Sequence, residues 1–332
     1  MTLEEIAELA AVSRSTVSRV INNHPNVRPD VRARVWEVVE RQGYAPNAAA
    51  RSLATKRTNI LGLLLPQSAR DTFTDPFFSL LIPSITETCS QHRRYLMLSM
   101  VTADQEVEFY RHVLRAGHLD GLIVGVSLMD DPILPLMIND PLPLVLLGHH
   151  PYYPQASWVE VDGLQSAAEA VSYLIRSGRR RIATITLPLT LIAGLDRRDG
   201  YKRALLQHRM PIDPDLIIET ESFTNGGYIA AQRLLALPDP PDAIFAASDS
   251  LAIGAMSAIR AAGLRVPEDI AVVGFDDQPS ATLADPPLTT VRQPIAELGT
   301  RAVELLLTLI EGETKGPQHV MLPTSLVMRA SA

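Results

Sequence analysis

The stretch AAVSRSTVSRVINN, residues 10–23, alternates valines with short polar side chains. Val17, Val20 and Ile21 follow the spacing of one helical face, and Ser13 stands where an N-cap is expected. The other face presents hydroxyl, amide and guanidinium groups from Arg14, Ser15, Thr16, Ser18, Arg19 and Asn22. Such groups approach phosphates and base edges closely, and arginine can bond guanine twice. The stretch predicts a recognition helix for the major groove of DNA, and these residues alone leave open a solvated helix face.

The flanking residues extend this helix into a three-helix module. TLEE at 2–5 has the spacing of a capping box that begins with Thr2. Pro29 suits the first turn of a third helix, whose apolar stripe runs from Val31 to Val39. We therefore predict a helix-turn-helix unit over residues 1–45.

The segment that follows, residues 46–58, is predicted to be a hinge helix or linker. Asn47 can cap a short helix, and Arg51 and Lys56 can contact phosphates. Leu53 would be exposed on an isolated helix, which a wedge between base pairs in the minor groove would explain. The alternative is a plain alanine-rich linker.

Charge is distributed unevenly along the 332 residues. Residues 1–60 hold nine Lys and Arg against six Asp and Glu, whereas the whole chain has a net charge of -7. This asymmetry indicates a basic module attached to an acidic body. The hydrophobic fraction of 46% provides ample core for more than one domain.

From Asn59 onward, apolar strand-sized runs alternate with helical stretches. Runs such as ILGLLLP at 60–66 and DAIFAASD at 242–249 are apolar on both faces, as strands of parallel sheets are. Helices are predicted near 77–92, 104–117, 163–178, 198–208, 225–237 and 249–262. The pattern predicts an α/β body of two parallel-sheet lobes, with a ligand cleft beyond the carboxyl ends of the strands.

Several function classes find no support in the sequence. There is no GxxxxGK[ST], GxGxxG or GxSxG motif, so neither an enzyme nor a cofactor is predicted. His149 and His150 lack the spaced partners of a metal site, and we expect both to be solvated loop residues. The single Cys89, with no signal peptide or membrane span in view, favours the cytoplasm.

Residues 2–64 resemble the LacI/GalR family of bacterial transcription regulators. The body agrees through DRRDGY at 196–201, ASDSLAIGAM at 247–256, GLRVPEDIAVVGFDD at 263–277 and PPLTTVRQP at 286–294. The resemblance covers essentially the whole chain and implies a headpiece, a hinge helix and a periplasmic-binding-protein-like core. It implies a first lobe from 59–160 plus 293–321 and a second from 161–292 plus 322–332.

The resemblance also implies which residues bind the effector. Arg197 and Asp276 match residues that grip hydroxyls, Phe223 matches an aromatic platform, and Ser248 and Gln293 match secondary polar positions. Phe77 or Phe78 is expected on the cleft wall. Arginine also suits carboxylates, while Asp276 could be a turn cap and Phe223 a core residue. Gly148 stands where some sugar-binding members carry an acid, and extra residues precede DPFF, which loosens assignment to one effector.

These observations together predict a repressor that binds a palindromic DNA operator as a homodimer. A dimer is favoured over a tetramer because LVMRASA at 326–332 carries no leucine heptad of the kind that ties some family members into tetramers. A carbohydrate effector is favoured over a nucleobase or another metabolite. The rival class is a solute-binding protein with the same core, which would need export. A sugar-active enzyme is a third class, disfavoured by the missing motifs.

Overall fold

The structure is a computed structural model that describes residues 2–21, 24–44, 57–66, 76–101, 106–114, 117–220, 225–314 and 316–332. The chain divides into two compact units, Met1–Thr58 and Asn59–Ala332. Each unit has its own apolar core.

The first unit contains the predicted three helices, α1 (Leu3–Leu9), α2 (Arg14–Ile21) and α3 (Pro29–Arg41). The capping box at Thr2 and Glu5 is present, and Pro29 occupies the first turn of α3. Val17 and Val20 of α2 are buried with Ile6, Val35 and Val39. The helix-turn-helix prediction is confirmed in these helices, because the predicted apolar faces form the small core.

The second unit contains two six-stranded sheets, and the strands of the first lie side by side in the order β11-β5-β4-β3-β1-β2. Its strands are β1 (Ile60–Pro66), β2 (Tyr95–Val101), β3 (Gly121–Val124), β4 (Leu144–Leu147), β5 (Ser157–Val161) and β11 (His319–Leu322). All of its pairings are parallel. The buried faces of its central strands explain why the sequence there is apolar without alternation.

The other sheet has the order β12-β10-β9-β8-β6-β7. Its strands are β6 (Ile182–Thr186), β7 (Ile217–Glu219), β8 (Ala243–Ala246), β9 (Ala271–Asp276), β10 (Thr289–Arg292) and β12 (Ser325–Val327). Only β12 runs antiparallel among these described strands. The chain thus passes between the sheets after β5, after β10 and after β11. The last residues of β5 and β11, Val161 and Leu322, each lie in the first sheet, and the predicted boundaries assign both to the second lobe.

Helices cover the sheets: α4 (Pro76–Gln91), α5 (Glu106–Phe109), α6 (Leu134–Ile138), α7 (Gly163–Arg176), α8 (Ile192–Gln207), α9 (Gly226–Leu235), α10 (Asp249–Ala261), α11 (Pro279–Leu283) and α12 (Ile295–Glu311). The prediction of 198–208 is wrong at its start, since α8 begins at Ile192. Within the helix predicted over 104–117, the described residues 106–114 are helical, as α5 followed by a π-helix at Tyr110–Leu114.

Main-chain hydrogen bonds join the two sheets' loops across the cleft. Leu128, after β3, forms an antiparallel bridge with Leu191, before α8. The flanking bonds run from Met129 N to Thr190 O (2.9 Å) and from Ile192 N to Ser127 O (3.1 Å). These bonds hold the start of α8 against the first sheet's loops. No helix in the described ranges is long and apolar enough to cross a membrane.

Candidate functional site

The first candidate site is the polar face of α2. Ser13 caps the helix, as predicted, because its Oγ accepts from Thr16 N at 3.2 Å. Ser13, Arg14, Ser15 and Arg19 are exposed, whereas Thr16 and Ser18 are half-buried. The Ser13 Oγ lies 2.8 Å from Ser15 Oγ and also 2.8 Å from Thr16 Oγ1. Six of the predicted DNA-binding residues therefore lie on α2 and at its cap, four of them exposed and two half-buried.

Arg14 makes an ion pair with Glu4 of α1, with Nε 2.9 Å from Oε1. Both side chains are mostly exposed, at 68% and 57%. Exposed pairs of this kind contribute about 0–1 kcal/mol, so a phosphate or guanine can displace Glu4 at little cost. The ion pair holds the Arg14 guanidinium beside the start of α2, but it is weak enough for another anion to replace Glu4.

Other predicted DNA-binding residues, Asn22, Asn47, Arg51, Leu53 and Lys56, lie outside the described residues. The same holds for Phe223 among the predicted effector residues.

The second candidate site is a cavity of about 160 Å³ in the second unit. Its walls come from both sheets: Phe77, Phe78 and Leu298 stand on the first sheet's helices, and Ile192 and Arg197 on α8. All described members of the predicted effector set line it, namely Phe77, Phe78, Arg197, Ser248, Asp276 and Gln293. The walls are mainly apolar with a few polar groups, as in cavities that bind small molecules.

Arg197 and Asp276 form the polar end of this cavity. Arg197 Nη1 lies 3.5 Å from Asp276 Oδ1, and the side chains are 9% and 3% exposed. The guanidinium also donates to Ala247 O and lies over the Phe275 ring, 3.8 Å from its centroid. These contacts fix the donor fork in one orientation.

Asp276 ends β9 with φ at +114°, a conformation that L residues rarely adopt. Its carboxylate accepts from Gln293 Nε2 (2.5 Å) and from Gln278 Nε2 (3.2 Å). Next to it, Asp249 Oδ2 accepts from Gln278 N at 2.7 Å. These hydrogen bonds connect the residues around the end of β9, and they hold the Asp276 carboxylate toward the cavity.

Ser248 and the two phenylalanines have structural contacts as well. Ser248 caps α10, accepting from Leu251 N at 3.3 Å, and is 1% exposed. Phe77 and Phe78 stand edge to face, with centroids 5.2 Å apart. Phe78 is buried and Phe77 is half-buried, so both form part of the wall.

A cluster that sequence reasoning missed joins the two lobes at the cavity. Glu160 of β5 accepts from His149 N (2.8 Å) and faces His149 Nδ1 (2.9 Å). Asp196 of α8 lies 3.9 Å from the same nitrogen, and both carboxylates line the cavity. The Glu160 hydrogen bond is the main cause that raises the pKa of His149. Burial raises the pKa of Asp196 to about 6.

The expectation that His149 and His150 are solvated is wrong for His150 and only partly met by His149, whose side chain is 35% exposed. His149 bonds Glu160, and His150 is 3% exposed with Nε2 3.0 Å from Leu128 O. A signal existed for Glu160, a lone acid in the apolar run SWVEV at 157–161. Within the described ranges, no group of three or more His, Cys, Asp or Glu side chains could hold a metal ion.

Comparison with known proteins matches both units. Residues 2–47 match the family model described as bacterial regulatory proteins, lacI family, and residues 171–332 match a periplasmic binding protein-like domain. The chain is 37% identical to the HTH-type transcriptional regulator CelR of Thermobifida fusca, over 99% of this chain and 98% of CelR. A structure of a CelR–cellobiose complex has a TM-score of 0.76 and 36% identity, with full coverage of both chains. The lac repressor dimer bound to operator and the anti-inducer ONPF has a TM-score of 0.86 and 29% identity, covering 100% of this chain and 98% of that one.

Proposed function

The chain belongs to the LacI family of bacterial regulatory proteins, and we propose from this membership that it is a transcription repressor controlled by a small-molecule effector. The observation that carries the proposal is the exposed face of α2, where hydroxyls and arginines surround a capped helix start. A solute-binding protein with the same core has no use for such a face.

We propose that Arg14, Ser15 and Arg19 read base edges while Ser13, Thr16 and Ser18 contact phosphates or neighbouring bases. Arginine forks suit guanine, and short hydroxyls permit the close approach that a major groove requires. Asn22, Asn47, Arg51, Leu53 and Lys56 complete the proposed DNA surface on sequence grounds.

The effector is proposed to be a carbohydrate that bridges the two lobes. Support comes from the CelR–cellobiose complex and from the cavity, where Arg197, Asp276 and Gln293 offer donors and acceptors beside apolar walls. Phe77, Phe78, Ser248 and Phe223 complete the proposed contacts. The hinge is proposed at 46–58, and the proposed division into lobes places Val161 and Leu322, the last residues of β5 and β11, in the first lobe.

We also propose that the protein acts in the cytoplasm as a homodimer on a palindromic operator. The lac repressor dimer on its operator supports the assembly, because its fold covers this whole chain. Two headpieces are needed, since one short helix contacts a single half-site.

Selection of palindromic DNA from a random library, followed by mobility-shift assays, tests the proposal. We expect one enriched palindrome and a change in its affinity when a sugar is added. Adding nucleobases and nucleosides in parallel tests the alternative effector class. Failure to enrich any sequence over bulk DNA would contradict the repressor assignment and favour the solute-binding class.

A further inference from the structure

We propose that the cavity selects a hydroxyl-rich ligand without negative charge, and that Asp196, with Glu160 beside it, sets this selection. The inference rests on the proposed function, because it concerns the effector of that same cavity. It decides between two ligands that an arginine in a cleft could take, vicinal hydroxyls or a carboxylate.

The charge of the cavity wall favours the first. Among the described residues that line it, the charged side chains are Glu160, Asp196, Asp276 and Arg197. Three carboxylates thus face one guanidinium in a largely apolar enclosure. An anionic ligand would bring a further negative charge close to them, and like charges brought together in a desolvated site are strongly unfavourable.

Arg197 does not offset this repulsion. Its guanidinium already has Asp276 at 3.5 Å, a bond to Ala247 O and the Phe275 ring 3.8 Å below it. A ligand carboxylate at Arg197 would therefore compete with Asp276 for the same charge. Ligand hydroxyls have no such conflict, because they can donate to Asp276 and accept from Arg197 together.

Asp196 is the least compensated of the three carboxylates. Glu160 holds two hydrogen bonds from His149, and Asp276 holds bonds from Gln278 and Gln293. The Asp196 carboxylate accepts no hydrogen bond from any described residue, and its nearest ion-pair partner among them, His149 Nδ1, is 3.9 Å away and bonded to Glu160. Its side chain is only 24% exposed. A ligand hydroxyl that donates to Asp196 would supply the missing hydrogen bond.

Burial raises the pKa of Asp196 to about 6, with Glu160 and Asp162 acting in the same direction and His149 and Arg197 against it. This pKa shift agrees with the geometry, because no hydrogen bond from a described residue offsets the effect of burial on the carboxylate. At neutral pH the group is mostly ionised and would repel a second anion.

The test uses sugar pairs that differ only by a hydroxymethyl or carboxylate group: glucose and glucuronate, galactose and galacturonate, cellobiose and cellobiouronate. Calorimetric titrations at pH 7.5 are run on the full chain and on the variants Asp196→Asn and Glu160→Gln. Asp199→Asn is the matched control, because Asp199 lies on the same helix, pairs with Arg198 and does not line the cavity.

For the wild type, we expect the neutral member of at least one pair to bind about 100-fold more tightly than its uronate. Asp196→Asn should reduce that ratio by about tenfold or more, chiefly by tighter binding of the uronate, and Glu160→Gln should act in the same direction. Asp199→Asn should keep the wild-type ratio.

Equal or tighter binding of the uronate by the wild type would overturn the inference while leaving a carbohydrate effector in place. An unchanged ratio in both Asp196→Asn and Glu160→Gln, each shown to be folded by its melting curve, would also overturn it. If no sugar of either kind binds, the carbohydrate proposal itself fails, and this inference fails with it.

Discussion

At the scale of single residues, Arg14 carries the clearest prediction for DNA recognition. Its guanidinium pairs with Glu4 only through an exposed contact, which leaves it available for a base. Changing Arg14 to Ala should remove about 1–3 kcal/mol of discrimination at one or two base pairs in each half-site. Operator selection from a random library measures this. Arg34→Ala, an exposed residue of α3, should return the wild-type motif, and an unaltered motif with Arg14→Ala would refute the role.

Asp196 gives a prediction about pH. Its folded pKa, about 6, lies above its ordinary value of 3.8, so the stability it contributes is present below about pH 4 and lost as pH rises through 6. Asn cannot ionise, so Asp196→Asn should be more stable than the wild type at pH 8, by at most about 3 kcal/mol. The difference should vanish near pH 4. Urea unfolding at several pH values measures it, and a difference independent of pH would contradict the proposed environment.

At the scale of the helices, α8 holds both a residue that lines the cavity and residues that serve packing. In DRRDGY at 196–201, Arg197 lines the cavity, but Gly200 and Tyr201 have packing roles. Tyr201 is fully buried and donates to Ile182 O at 2.8 Å. A Cβ on Gly200 would lie 2.2 Å from Leu164 O of α7, so the two helices can meet only at a glycine.

Gly200→Ala should therefore destabilise the second unit by about 1–3 kcal/mol, because α7 and α8 must separate. Urea denaturation measures the loss. Gly163→Ala is the matched control at the start of α7, where a Cβ would meet Asp196 Cβ at an ordinary 3.6 Å. Equal effects of the two substitutions would show that helix packing is not the reason for Gly200.

Periodicity located most elements and missed α6, α11 and α12 and the strands β5, β10, β11 and β12. The signal for α12 was present, since Leu298, Ala302, Leu305 and Leu306 recur at helical spacing, but no capping side chain marks its start. The missed strands are short and carry polar residues such as Glu160 and His319. They are strands because they hydrogen-bond to neighbouring strands of a sheet, a tertiary cause that local pattern does not contain.

The cluster of His149, Glu160 and Asp196 was missed for a related reason. These residues are up to 47 positions apart in sequence, and only the approach of α8 to the end of β4 and to β5 brings them together. Arg197 and Asp276, in contrast, were predicted through the family resemblance. Local pattern alone left a carboxylate ligand open for Arg197, and the ion pair with Asp276 is a contact that only the fold supplies.

At the scale of the whole molecule, the basic first unit and acidic remainder predict how binding depends on salt. Residues 1–60 carry a net charge of +3 in a chain of -7, so DNA should attract one part and repel the other. With several phosphate contacts in each subunit, the logarithm of affinity should fall against the logarithm of salt concentration with a slope of about -0.9 per contact. Anisotropy titrations at several salt concentrations measure the slope, and a nearly flat dependence would contradict the DNA surface.

The central claim is that the cavity and the DNA surface are coupled, and one measurement tests it directly. The affinity of the full chain for its selected operator is measured by fluorescence anisotropy, with and without a saturating concentration of the sugar that binds most tightly. Coupling of the usual size predicts a change of about 5- to 150-fold, and Asp276→Ala should remove the response. An operator affinity that stays the same when the cavity is saturated would contradict the account.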